Sequence, residues 1–177
     1  MFKKHSSHAL RAAVCAALAA LSCALPAAAQ QKSVAVTSIV EHPALDAVRD
    51  GVKEALQKAG LEDGKTLRWQ YQTAQGNAGT AGQIARKFVG DQPDVIVAIS
   101  TPSAQALLAT TKNIPIVFSA VTDPVAGQLT PSWDASGTNV TGVSNALDLT
   151  KQAEMIRRIL PQAKRVGVVY NLSLIHI

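Results

Sequence analysis

Two kinds of apolar pattern alternate along this chain. Val95-Ile96-Val97-Ala98-Ile99 is an unbroken run of strand-forming residues, as in a strand buried on both faces of a parallel sheet. Residues 33–40 and 114–120 repeat that pattern. Between them, residues 43–59 set Leu45, Val48, Val52 and Leu56 on one helical face and close at Gly60. Residues 67–73 alternate Leu67, Trp69 and Tyr71 with Arg68, Gln70 and Gln72, the period of a half-exposed edge strand, and residues 77–89 read as a second helix. Thr101-Pro102-Ser103 reads as a helix start, with Thr101 as hydroxyl N-cap and proline at the first helical position. Repeated βα units with short connections predict an α/β fold, a parallel sheet with helices on both faces.

The rhythm breaks after Pro124. Residues 128–137 are loop-like, and 138–143 form a short strand candidate bracketed by Gly137 and Gly142. A helix is expected over 150–160 with Ala153, Ile156, Ile159 and Leu160 inward, stopped by Pro161, and then a buried strand over 165–170. A new βα series begins there, the start of a second lobe over 145–171. The first lobe spans 30–137.

Residues 1–29 are set apart as a leader. Lys3, Lys4 and Arg11 form a basic start, residues 12–25 an apolar stretch, and Ala27-Ala28-Ala29 a small-residue cleavage site. The stretch is short and holds Ser22 and Pro26, which favours a cleaved signal over a membrane anchor. A lipoprotein attachment at Cys23 is disfavoured, because Ala20 stands where leucine is wanted. The expected location is periplasmic or secreted, with no stable membrane insertion after cleavage. Both cysteines, Cys15 and Cys23, leave with the leader, so disulfides and thiolate metal sites are excluded from the remaining 148 residues. The leader also takes three of the 17 basic residues and none of the 12 acidic ones. The near-balanced remainder is no nucleic-acid signature.

Candidate chemistry gathers where strands give way to helices. The open N–H groups of a helix starting at Thr101 would receive a carboxylate or phosphate, with the Thr101 and Ser103 hydroxyls as added donors. Asp123 follows the strand at 114–120; before Pro124 it either caps a short helix or holds a ligand ammonium. Glu41-His42-Pro43 follows the first strand, and His42, the only histidine between the leader and Asn171, reads as a helix-entry residue, with no second histidine or cysteine in that stretch to make a metal site or triad. Gly76, Gly79 and Gly82 lack the dinucleotide-binding spacing and read as a loop entering a soft helix. Asn139-Val140-Thr141 fits a glycosylation triplet, a motif frequent by chance. No nucleophile elbow, P-loop or zinc motif occurs. The pattern therefore points to binding rather than catalysis and calls for no cofactor or metal.

Several of these motifs, in this order, resemble one family. They are Ser38-Ile39-Val40-Glu41-His42-Pro43-Ala44-Leu45-Asp46, Thr101-Pro102-Ser103, Ile116-Val117-Phe118, Val121-Thr122-Asp123-Pro124-Val125, Asn139-Val140-Thr141-Gly142-Val143 and Arg165-Val166-Gly167-Val168-Val169-Tyr170-Asn171. Together they are similar to the ABC-transporter substrate-binding proteins of the tryptophan/tyrosine-type group. The resemblance implies a type I periplasmic-binding-protein fold, two α/β lobes that close on an amino-acid-like ligand. It implies delivery of that ligand to a permease and its ATPase. It implies that Thr101 and Ser103 meet the ligand carboxylate, Asp123 meets the ammonium, and Ser38 and His42 line the same wall. Residues 138–144 would be a hinge crossing, and Asn171 would open the second lobe's contact loop.

The alternatives are a sugar or nucleoside ligand on the same fold, a ligand-sensing domain, or an exported α/β enzyme. Finally, Leu172-Ser173-Leu174-Ile175-His176-Ile177 carries no cap or turn and coincides with one reading frame of a sequencing-library transposase adapter. The expectation is that the genuine sequence runs to Asn171 and continues differently, so this chain is an N-terminal fragment.

Overall fold

A computed structural model describes residues 31–134 and 137–167. The leader, Asn171 and the adapter-like tail lie outside the described residues. Five strands form one sheet: β1 (Lys32–Ser38), β2 (Leu67–Thr73), β3 (Val95–Ile99), β4 (Ile116–Val121) and β5 (Val140–Ser144). Their order is β2-β1-β3-β4-β5, and every neighbouring pair is parallel. Helices α1 (Pro43–Lys58), α2 (Ala78–Asp91), α3 (Thr101–Leu108) and α4 (Leu149–Ile159) follow β1, β2, β3 and β5.

The strand period of two divides the core into two layers. Val34, Val36, Val97 and Ile99 face the side on which Leu45, Val48, Val52 and Leu56 of α1 pack. Ala35, Ile96, Ala98, Ile116 and Phe118 face the other side, against Ile84, Ala85 and Phe88 of α2 and Leu107 of α3. Helix α1 stops in a Schellman arrangement, with Gly60 at φ +83° and Leu61 N–H donating to Leu56 O at 3.0 Å. Strand β2 lies at the sheet edge, as its alternation predicts, where Arg49 sits 4.9 Å over Tyr71 and Lys53 5.6 Å over Trp69.

Several boundaries and one face differ from the expectations. Strand β1 ends at Ser38 rather than residue 40, because Gly76 N–H bonds Ile39 O at 2.6 Å and turns the chain toward α1. Strand β4 begins only at Ile116 because Pro115 has no N–H for the ladder. The N-cap of α3 is Ser100, not Thr101, which is already helical. Helix α4 buries none of its residues, and Ile159 and Leu160 are 68% and 60% exposed, so the face expected inward is left largely uncovered among the described residues. Residues 165–167 form no strand, and the rest of that expected strand lies outside the described residues.

Candidate functional site

All five strands are parallel, so their carboxyl ends share one edge of the sheet. The last paired row there runs Thr73, Ser38, Ile99, Ser119. Connections leave this row in opposite directions: β1 passes through α1 on one face to β2, and β3 through α3 on the other face to β4. The reversal between β1 and β3 makes a topological switch point, the place where open α/β sheets hold ligands. His42 opens α1 on one flank of it and Thr101 opens α3 on the other.

Each expected site residue has a definite place. Ser38 is 1% exposed, and its hydroxyl donates to Val40 O at 2.9 Å. It therefore offers no surface of its own; it fixes the Ile39–Val40 turn that does. His42 is the N-cap of α1, with Nδ1 accepting from Ala44 N–H at 3.2 Å. That bond leaves the Nε2 edge of the exposed ring pointing away from the cap. Asp123 begins a single helical turn: its Oδ1 accepts from the N–H groups of Val125 and Ala126, both at 2.9 Å, and its carbonyl from Gly127. Oδ2 is the oxygen left over. Asn139 is spoken for as well, since its amide donates to Ile114 O at 2.8 Å.

Thr101 and the Asp123 turn are brought together by contacts that motif reading did not anticipate. A methyl group at Gly127 would stand 2.9 Å from the turn's own Asp123 O and 3.2 Å from Thr101 Cγ2, so glycine suits both the tight turn and its contact with α3. Gln105 Nε2, one turn further along α3, donates to Gly127 O at 3.1 Å. The positive start of a helix and a carboxylate-bearing turn are thus clamped side by side.

Ser100, between β3 and α3, is the other residue the motifs missed. It adopts φ +83°, ψ 156°, a region occupied almost only by glycine and costing about 1–3 kcal/mol otherwise. Its N–H is pinned to Ser119 O at 2.9 Å. Its Oγ and the Oγ of Ser103 are buried without a hydrogen-bond partner. Nothing in a single sequence signals a positive φ at a serine. The nearby hollow of about 170 Å³, lined by Phe118, Trp133 and Gly142 among others, contains none of the expected site residues.

Residues 33–174 match the family described as ABC transporter substrate binding protein. The chain belongs to this family. Among its relatives, the "Tyrosine-binding protein" of Clostridioides difficile (strain R20291) is 44% identical over 144 residues, covering 81% of this chain and 42% of that protein. A conserved domain protein from Vibrio cholerae O1 biovar El Tor str. N16961 superposes with a TM-score of 0.79 at 53% identity, over 81% of this chain and 49% of the other. An ABC domain in complex with L-Trp from Streptococcus pneumonia gives a TM-score of 0.71 at 30% identity, over 75% of this chain and 44% of the other. The chain therefore spans less than half the length of these relatives. The substrate-binding family fits the parallel α/β lobe seen here, and among the described residues no helix is long and apolar enough to cross a membrane.

Proposed function

We propose that this chain is the ligand-anchoring lobe of an exported solute-binding protein that captures an aromatic amino acid for an ABC importer. The observation that carries the reading is the clamp at the switch point, which sets the α3 N-terminus beside the Asp123 turn. Those two features suit the two charges of an amino acid. The ligand carboxylate would sit at the first turn of α3, on the N–H groups and the Thr101 hydroxyl, with Ser103 joining after a turn about χ1. The ammonium would bind Asp123 Oδ2. The His42 ring and the turn held by Ser38 would form the adjoining wall. The names of two relatives, one tyrosine-binding and one solved with L-Trp, support an aromatic side chain.

Energetics requires a second surface. A helix start contributes up to ~2 kcal/mol to a bound anion and a charge-assisted hydrogen bond about 1.5–3 kcal/mol, whereas micromolar affinity needs about 8 kcal/mol. The balance must come from apolar contact and from a second lobe closing across residues 138–144 as a hinge, with Asn171 at the head of its contact loop. The partners are then a permease and its ATPase, and the location is periplasmic or secreted, with the signal cleaved after Ala29.

The test is thermal melting of the full-length protein that carries this lobe, with L-tyrosine, L-tryptophan, a sugar and a nucleoside. The melting point is expected to rise with either aromatic amino acid, growing as RT ln(1 + [L]/Kd). A response to the sugar or nucleoside alone overturns the amino-acid assignment.

A further inference from the structure

We infer that Ser100 is a further ligand-binding residue, whose hydroxyl turns toward the bound carboxylate when the site fills. This inference rests on the amino-acid reading above. Its basis is a double penalty at one residue. The backbone at φ +83°, ψ 156° is a glycine conformation, and the hydroxyl is buried with no partner. Glycine would remove both faults at once, so a serine here works against the stability of the ligand-free lobe. Such a choice is retained where the side chain serves something other than folding.

The surroundings say what that is. Ser100 is the N-cap of α3, yet it makes none of the side-chain bonds an N-cap serine normally makes to the helix's own N–H groups. The Thr101 and Ser103 N–H groups stay open to an incoming anion, Pro102 having none. Three residues on, Ser103 is 1% exposed, and its Oγ likewise has no partner. Two unsatisfied hydroxyls therefore flank the positive end of one helix, beside the Asp123 turn. In the ligand-free lobe both oxygens are covered, but serine χ1 has three staggered wells, and one step swings Oγ to a new direction. A carboxylate at the helix start supplies the acceptor that both lack. The backbone is held throughout by Ser100 N–H on Ser119 O at 2.9 Å and by Ala104 N–H on Ser100 O at 3.2 Å, so the movement is confined to the side chain.

The experiment compares wild type, Ser100→Gly and Ser100→Ala in the full-length protein, by melting without ligand and by calorimetric titration with L-tyrosine and L-tryptophan. Ser100→Gly is expected to melt about 2–4 °C higher without ligand. Both variants are expected to bind about tenfold more weakly than wild type. Wild-type affinity in either variant, or no rise in the ligand-free melting point of Ser100→Gly, overturns the inference while leaving the amino-acid reading standing. A wild type that binds neither amino acid overturns that reading and this inference with it.

Discussion

At the scale of single residues, the structure sets aside some positions for holding elements together. Asp94, just before β3, accepts from Ser33 N–H at 2.7 Å and from Ser33 Oγ at 3.1 Å, and so ties the amino end of β1 to β3. The Ser33 amide above all, then its hydroxyl and Lys32, hold the Asp94 carboxyl below its ordinary value of 3.8. A carboxyl whose folded value is depressed stabilises fully above its unfolded value and loses that contribution as the pH falls through the folded one. Asp94→Asn is therefore expected to cost about 1 kcal/mol at neutral pH. Urea denaturation from pH 7 to pH 3 should show the gap to wild type closing on acidification; a gap independent of pH would mean that the charge plays no part. Gly142 is a second such position. Any Cβ there would overlap the Phe118 carbonyl oxygen and ring on the neighbouring strand. Gly142→Ala is expected to lower stability by about 1–3 kcal/mol through overpacking, and denaturation equal to wild type would show that β5 does not lie against β4 as described.

At the scale of elements, the coupling between α3 and the Asp123 turn is the feature on which the proposed site depends. Gln105 is far enough along α3 to touch no ligand at its start, but it holds Gly127 through one partly buried hydrogen bond. Gln105→Ala should cost about 1 kcal/mol of stability and weaken amino-acid affinity several-fold by freeing the turn that carries Asp123. Titration calorimetry beside a melt reads both, and weakened stability with unchanged affinity would detach the turn from the site. This coupling also marks where sequence reading stops. The strands, α1 and α2 were legible because their patterns are dictated by burial on one or both faces, and the edge position of β2 followed from its alternation. The start of α3 was misplaced by one residue, since Thr-Pro suggests a cap at Thr101 and nothing reports the unusual backbone of Ser100. Gly127 and Gln105 were invisible because their importance lies in an approach of segments 22 residues apart. Asp123 was seen with both of its readings, and the structure shows the capping one through Oδ1.

At the scale of the whole molecule, the apolar positions divide unequally. From β2 to β4 they are inside, with Phe88, Ile96, Leu107 and Ile116 fully covered. Val140 at the start of β5 is still covered, but beyond it they are outside: Val143, Leu147, Leu149, Met155, Ile159, Leu160 and Val166 are each at least 55% exposed. The helical period of α4 matches its apolar stripe, but no residue of the helix is buried. A stripe this uncovered, continuing from a strand edge, is larger than the scattered apolar residues of an ordinary surface and favours association. The 177-residue chain is therefore expected to self-associate in solution. Leu149→Glu combined with Ile159→Lys should shift it toward monomer, at little cost in stability because neither side chain is buried. Sedimentation velocity over a tenfold concentration range distinguishes the outcomes. A concentration-independent monomer for the unsubstituted chain would show that this face is covered in solution. Concentration-dependent association that the double substitution abolishes would identify β5 and α4 as the surface awaiting a partner.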